Sequence, residues 1–589
     1  MDILEYFPEK DNKGQNTFYP YQKESIQKIY DAFLGGNDIV IGEIPWGVGK
    51  THIAKTFANF FNKTYILTAS KGLQAQVITK FPDIKEVKGR GNFPCKLNSR
   101  VMCDRAMCNE KEFVNNSDTP VSKACPHKPV RGEGRKLITG DREQLCEYWK
   151  QKIDAIEAKT SSHNYDYFLA EINHVGDFSV PRVYNDTDLQ KMSLGIFDEA
   201  HNIGTKILKN YSITITRSFL YRAGIPFPDN GNDRDAWISW LKELRDVSIP
   251  QNLKSIYDQL KQTYMEQRTK DELYSKIEKS EEVLDKINAI LKVYDLNKNI
   301  WMTVAERDKG NQMKDLKVIP IMVSPFVQEE LLQHFDRMLF LSSTILNPYL
   351  FVGDLGLKRM GHKVNFTSVP CPFPLSHRPI YAMNIGDMGY ECLPDNIPKI
   401  VEAVKTLLDL YPNQKGIIHS NSFKLNNDVW NSLPVKYANR IVSHSGETYN
   451  GSGKTYQDAI QEHFESDLPT VLMSPSIIEG VDFKGKFSEF QIIFKLFYDS
   501  EVDSPQLKAR KLIDPLYYEW LACVKTIQAT GRSIRSMDDI APTFYLDSRL
   551  TWFVRKNSDL LSKWWRDAII YAPNPYSYIG ERLNATRSY

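Results

Sequence analysis

With 589 residues the chain exceeds what one hydrophobic core can hold, and about three or four domains are expected. Its composition, 42% hydrophobic and 25% charged, is ordinary for a globular protein, and no apolar run approaches the length of a membrane span. A formal net charge of only +2 excludes a basic nucleic-acid coat, so any nucleic-acid site must be a local groove.

The start, Met1-Asp2-Ile3-Leu4-Glu5, has neither a basic n-region nor a long apolar h-region, so a secretory signal is not expected. The expected compartment is reducing: cytoplasmic in a prokaryotic or viral source, nuclear in a eukaryotic one. The first ~90 residues alternate strand and helix signals. Asp38-Ile39-Val40-Ile41, stopped by Gly42, suits a buried parallel strand. Ile53, Phe57, Phe60 and Phe61 recur at helical spacing, and Tyr65-Ile66-Leu67 reads as a second buried strand.

Composition then shifts. Residues 85–136 carry twelve Lys or Arg against six Asp or Glu and few apolar side chains, so this segment needs a staple to hold it. Five of the eight cysteines fall between Cys95 and Cys146, a pattern that in a large intracellular chain points to a metal site rather than disulfides.

Strand character returns at Leu194-Gly195-Ile196-Phe197. Residues 205–335 read as largely helical. Leu253, Ile256, Leu260 and Tyr264 form one stripe, and Leu273, Ile277, Leu284, Ile287 and Leu291 another. An internal helical insertion is expected in preference to a coiled-coil dimer seam. Strands resume at Met338-Leu339-Phe340-Leu341, and a second alternating unit from about residue 380 has strand candidates at 415–419, 470–473 and 490–494.

Gly47-Val48-Gly49-Lys50-Thr51 lies between the first strand and an amphipathic helix, and that context makes it a phosphate loop. Its glycines let backbone N–H groups turn toward phosphate oxygens. Lys50 would reach the β- and γ-phosphates, and Thr51 would hold Mg²⁺. Ile44 stands where the full pattern has a glycine. Gly451-Ser452-Gly453-Lys454-Thr455 has similar letters but no apolar strand before it, and reads as a solvated loop. Asp198-Glu199-Ala200-His201 follows a strand. Asp198 can hold Mg²⁺, and Glu199 can orient and deprotonate the attacking water. In Gln528-Ala529-Thr530-Gly531-Arg532-Ser533-Ile534-Arg535, two arginines three apart would share one face of a helix and could meet the detaching γ-phosphate.

Taken together these motifs resemble a superfamily 2 helicase of the xeroderma pigmentosum group D (XPD)/DinG family. Tyr19-Pro20-Tyr21-Gln22 is similar to its adenine-reading glutamine motif. Residues 43–51 resemble motif I, which usually has Ala and Thr where this chain has Ile44 and Trp46. Residues 68–76 resemble motif Ia, 198–201 motif II, 341–345 motif III, 474–482 motif V and 528–535 motif VI. The matches run in the family's order through nearly the whole chain.

The resemblance implies an α/β fold with two RecA-like parallel-sheet motor domains, an iron–sulfur domain and a helical arch being inserted in the first. The implied division is 1–90, 151–205 and 336–375 for the first motor domain, 91–150 for the iron–sulfur domain, 206–335 for the arch and 376–589 for the second motor domain. It implies ATP and Mg²⁺ held by Gln22, Gly47, Val48, Gly49, Lys50, Thr51, Asp198 and Asp482, with Lys50, Asp198, Glu199, Gln528, Arg532 and Arg535 acting on the nucleotide. Lys88-Gly89-Arg90-Gly91-Asn92-Phe93-Pro94-Cys95 and Cys146-Glu147-Tyr148-Trp149-Lys150 resemble the borders of the family's [4Fe–4S] domain. The implied ligands are Cys95, Cys108, Cys125 and Cys146, with Cys103 in reserve; zinc is the rival metal.

Lys88 and Arg90 are candidate phosphate contacts, whereas Trp149 is expected to pack around the cluster. Phe93 and Tyr148 could stack bases. The implied activity is 5′→3′ travel on single-stranded DNA that unwinds duplexes in repair or related processing, by a monomer whose partners are single-stranded and forked DNA and proteins at the arch, with no membrane. A DNA-binding scaffold with a silent motor, and an RNA-directed or anti-phage ATPase, are the alternatives.

Overall fold

A computed structural model describes every residue except 1, 12, 107–110, 113–120, 123–124, 132–136, 139–140, 175–176, 179–187, 232, 261–264, 296, 445–453, 478–480, 482, 484, 502 and 573–589. Two seven-stranded sheets organise it, and every pairing within each is parallel.

Across the first sheet the strands run Val364–Ser368, Ile39–Glu43, Arg337–Ser342, Ser193–Asp198, Lys63–Thr68, Thr160–Asn164 and Lys85–Glu86. The register sets Glu43 beside Ser342 and Leu341 beside Asp198. The loops leaving these three central strands therefore emerge at one edge, the carboxyl edge where parallel sheets build their sites. One face buries Val40, Leu194, Ile196 and Leu339 under Ile26, Ile29 and Phe33 of helix Gln22–Leu34 and Ile53 and Phe57 of helix Lys50–Phe60. Each such side chain contributes about 1.5–3 kcal/mol on burial. Strand Thr160–Asn164 is entirely polar yet entirely buried. The Gln74 amide helps satisfy it, donating to Ser162 O at 2.8 Å and to Val87 O at 2.9 Å.

The chain leaves this sheet twice. The first excursion, between Lys85–Glu86 and Thr160–Asn164, holds the clustered cysteines and returns through helix Glu147–Glu157. A buried ion triad anchors that helix: Lys152 Nζ lies 2.6 Å from Glu171 and 2.6 Å from Asp177.

The second excursion, between Ser193–Asp198 and Arg337–Ser342, is less helical than its stripes imply. It contains a three-stranded antiparallel sheet ordered Ile213–Thr216, Met313–Pro320, Trp301–Arg307. Around it pack helices Arg217–Ala223, Arg234–Glu243, Ile249–Leu260 and Gln267–Tyr294. The stripe residues Leu253, Ile256, Leu273, Ile277, Ile287 and Leu291 are buried inside the chain's own core; Tyr264 lies outside the described residues. A widened π-turn at Leu244–Ser248 precedes Pro250, whose missing N–H and ring displace the regular helical ladder.

The second sheet runs Ile441–Ser443, Val471–Ser474, Gly416–His419, Gln491–Ile493, Thr543–Asp547, Ile380–Gly386 and Ile569–Ile570. Helix Leu393–Leu410 covers one face through Ile400, Val404 and Leu407. The short edge strand Ile441–Ser443, with only two apolar residues, corrects the reading that no strand precedes the second glycine-rich motif. Residues 451–453 lie outside the described residues. Lys454 pairs with Glu462, and the Thr455 hydroxyl caps helix Tyr456–Glu465 by accepting Asp458 N–H at 3.2 Å.

Candidate nucleotide site

The wholly buried strand Ile39–Glu43 delivers the chain into the turn at 44–49, and helix Lys50–Phe60 starts directly after it. Gly47 and Gly49 adopt φ of 78° and 86°, the left-handed region that glycine enters without a Cβ penalty. No side chain caps the helix start, so its first N–H groups remain directed at the loop, where an anion is favoured. Gln22, fully buried, braces the turn by donating to Gly49 O at 3.3 Å and accepting Tyr19 N–H at 3.1 Å. Ile44 is buried in the core beneath the first sheet.

Lys50 Nζ reaches across to Glu199 Oε1 at 3.6 Å. Glu199 has a left-handed backbone (φ 50°), which turns it out of the strand that ends at Asp198. Burial opposes charge on Glu199, but Lys50, His201, Arg532 and Arg535 outweigh it and hold the carboxyl below its ordinary range. Asp198 moves the opposite way: burial, then the Glu199 charge, raise it against the pull of Lys50. Asp198 Oδ1 is buried and accepts no hydrogen bond from the protein. His201 Nδ1 lies 2.8 Å from Ser342 Oγ, tying the 198–201 segment to the neighbouring strand end.

The second sheet supplies the other wall. Gln528, buried on helix Pro515–Thr530, donates to Thr344 Oγ1 at 2.8 Å, Ser343 Oγ at 3.1 Å and Glu199 Oε2 at 3.4 Å; its own oxygen accepts from Arg532 at 3.4 Å. Trp520 Nε1 on the same helix donates to Ile345 O at 2.8 Å. Arg532 and Arg535 are not helical, as the sequence reading had them. The helix stops at Thr530 with Gly531 as its C-cap, and both arginines follow in a turn where Asp539 accepts the N–H groups of Arg535 and Ser536 at 2.7 and 2.6 Å. They nevertheless face the cleft lined by Ser70, Glu199, His201 and Gln528. Val481 lines the same cleft, whereas Asp482 lies outside the described residues.

Two family models match the chain: a helicase C-terminal domain over residues 405–568 and the res subunit of type III restriction enzymes over 15–221. A solved XPD helicase superposes with a TM-score of 0.56 at 13% identity, covering 94% of this chain and 99% of that one. Xpd4 of S. tokodaii superposes with a TM-score of 0.50 at 13% identity, covering 94% and 99%. The chain therefore has the fold of the XPD helicases, with a stretch similar to a helicase C-terminal domain in its second half. The two parallel sheets correspond to the two RecA-like domains of that fold, and both excursions interrupt the first. No curated protein matches the chain by sequence.

Contacts that the motifs do not announce surround the cleft, and those of Trp46 with Gly531 and of Glu43 with Ser562 join the two RecA-like domains. Trp46 lies against Gly531, and Phe373 against Gly47. Ser562 Oγ donates to Glu43 Oε1 at 3.4 Å, and Leu346 N–H donates to the other Glu43 oxygen. Burial raises the Glu43 carboxyl to about 7. The one sequence signal was Trp46 itself, a large ring where the family has a small residue.

In the first excursion, Cys95, Cys103 and Cys146 are buried in a small cluster with Tyr148, Trp149 and Ile153, and Cys125 packs against it half-buried. Cys108 lies outside the described residues. Among the described residues no group of three or more His, Cys, Asp or Glu side chains is placed to hold a metal ion. Thiols are the donor type that an iron–sulfur cluster takes, and Cys95, Cys103, Cys125 and Cys146 share one small apolar cluster in a segment with little other core. Tyr148 and Trp149 are buried and carry the Arg90 guanidinium over their rings at 5.3 and 5.8 Å, so they serve the domain's own packing; Lys88 pairs with Glu86 at 2.8 Å. No helix among the described residues is long and apolar enough to cross a membrane.

Proposed function

We propose that this chain is a helicase that couples ATP hydrolysis to 5′→3′ travel on single-stranded DNA and so opens duplexes in repair or related DNA processing. The observation that carries the reading is the convergence of Lys50 and Glu199 from the first sheet with Gln528, Arg532 and Arg535 from the second on one cleft. A nucleotide held there is gripped from both sides, so hydrolysis and domain movement are linked.

Gln22, the 47–51 turn and Asp482 would hold ATP. Thr51 and Asp198 would hold Mg²⁺, and the buried, unbonded Asp198 Oδ1 supports that assignment. The ion supplies neutralisation of phosphate charge when bound. Ionised Glu199 orients a water and takes its proton as the water oxygen bonds to the γ-phosphorus and the bridging P–O bond breaks. Lys50, Arg532 and Arg535 stabilise the charge on the transferring phosphoryl group, and Gln528 holds Glu199 against the 342–345 segment.

Cys95, Cys125 and Cys146, with Cys108 or Cys103, would hold a [4Fe–4S] cluster, which supplies a cross-link that fixes the fold of the first excursion. The two departures from the first sheet support the division at 90, 150, 205 and 335, and the change from the first sheet's last strand, Val364–Ser368, to the second sheet's Ile380–Gly386 supports that at 375. The preference for DNA rests on the resemblance of 88–95 and 146–150 to the family's iron–sulfur borders. Lys88 and Arg90 are the proposed phosphate contacts, forked DNA the substrate, and a monomer in cytoplasm or nucleus the working form, with protein partners at the arch.

The test is unwinding of 5′- and 3′-tailed duplexes by wild-type and Lys50→Ala protein, with ATPase stimulation by single-stranded DNA and RNA measured in parallel. Opening of the 5′-tailed duplex alone, lost in Lys50→Ala while DNA binding persists, is expected. Unchanged unwinding in Lys50→Ala, or stimulation by RNA only, would overturn the reading.

A further inference from the structure

Trp46 occupies the phosphate loop between Pro45 and Gly47, yet its ring belongs as much to the second RecA-like domain as to the first. It is 5% exposed. It meets Trp564 edge-to-face, with ring centroids 5.1 Å apart and planes at 84°. Its six-membered ring lies flush on Gly531, where an added Cβ would stand 2.2 Å from both Cε2 and Cζ2. Gly531 has φ −93° and ψ 3°, a conformation open to any L-residue. Its backbone does not demand glycine; the Trp46 ring does.

The surroundings are rigid. The Arg378 guanidinium stacks over Trp564 at 5.4 Å and donates to Phe373 O at 3.2 Å and Trp564 O at 2.8 Å. Phe373 in turn covers Gly47, and Trp565 Nε1 donates to Thr530 Oγ1 at 2.8 Å. One side chain thus springs from the residue before the first phosphate-loop glycine and touches the residue directly before Arg532.

We propose that Trp46 is a positioning residue that locks the phosphate loop to the 531–535 turn, so that the arginines reach the γ-phosphate only when the loop is in its nucleotide-bearing shape. The proposal rests on the ATPase reading above and adds to it a steric coupling that depends on size complementarity between Trp46 and Gly531. A tryptophan that packs without coupling makes the losses from altering either partner multiply. A steric lock makes them antagonistic, because the smaller side chain at 46 vacates the space that a Cβ at 531 needs.

The test is a double-mutant cycle of wild type, Trp46→Thr, Gly531→Ala and the double variant, read by steady-state ATP hydrolysis with single-stranded DNA. For each single variant we expect kcat to fall ~10-fold or more while KM for ATP moves less than ~3-fold, the signature of a contact that matters after binding. Trp46→Phe, which keeps a ring on Gly531, should retain most of kcat. In the double variant, Gly531→Ala should cost nothing beyond Trp46→Thr. Equal penalties for Gly531→Ala in both backgrounds, or a change confined to KM, would overturn the proposal. A wild-type chain that hydrolyses no ATP would instead overturn the function reading. The lock is then still decided by melting temperature: Gly531→Ala must destabilise the wild-type background and leave the Trp46→Thr background unchanged, and equal destabilisation of the two refutes it.

Discussion

Exchanging Gln528 for glutamate keeps the shape of a buried side chain and changes only its charge. In the folded protein the Gln528 amide lies 3.4 Å from a Glu199 oxygen and bonds Ser343 and Thr344 at 3.1 and 2.8 Å. Gln528→Ala forfeits two neutral bonds at about 1 kcal/mol each and a weak bond to a carboxylate at about 1.5, roughly 3.5 kcal/mol in all, or a few hundred-fold in rate. Gln528→Glu can keep both hydroxyl bonds, since serine and threonine donate as readily as they accept. It places a second negative charge on Glu199, however. At 3.4 Å and an effective dielectric of about 20, that repulsion reaches about 5 kcal/mol. The isosteric variant should therefore be the worse one, about tenfold or more below Gln528→Ala in DNA-stimulated kcat. Steady-state ATPase on both proteins, after matching their melting temperatures, makes the comparison. Equal or higher activity in Gln528→Glu would mean that Gln528 does not hold the Glu199 carboxylate, and the role assigned to it would fall.

Three further outcomes follow from burial. Lys152→Met leaves Glu171 and Asp177 facing each other without their cation, which should cost about 3–5 kcal/mol in urea unfolding, and adding Glu171→Gln and Asp177→Asn should restore most of it. Because the Glu43 carboxyl is raised to about 7 by burial, the folded chain keeps a proton that the unfolded chain has lost above about pH 4.5. Wild-type stability should fall by about 1.4 kcal/mol per pH unit between those values and then level off, while Glu43→Gln lacks this dependence; melting curves at pH 5 and 8 should show the variant gaining on wild type at the higher pH. Anaerobically purified protein should be brown, and Cys95→Ser, Cys125→Ser and Cys146→Ser should each lose iron in metal analysis, whereas only one of Cys103→Ser and Cys108→Ser should do so.

Legibility followed hydrophobicity. The strands Ile39–Glu43, Ser193–Asp198 and Arg337–Ser342 are apolar runs buried on both faces, so composition alone marked them. Strand Thr160–Asn164 is just as buried and was invisible, since its polar residues are paid for by partners such as Gln74, far away in the chain. The antiparallel sheet of the second excursion was hidden by the stronger helical stripes between its strands. Lys50 and Glu199 were readable because each follows a strand end. The helical placement of Arg532 and Arg535 failed at Gly531, whose meaning depends on Trp46, nearly the whole chain away.

Within the second excursion, Ile213–Thr216 is hydrogen-bonded to Met313–Pro320, with Ile213 opposite Val318. The path out and the path back are thereby zipped together at the root. Whatever grows beyond that zip is a branch on a closed stem, free to lengthen, shrink or be exchanged without shifting the register of the motor strands beneath it. Such a stem lets one engine acquire different tools, and it also means that a load on the branch reaches the motor through that paired root.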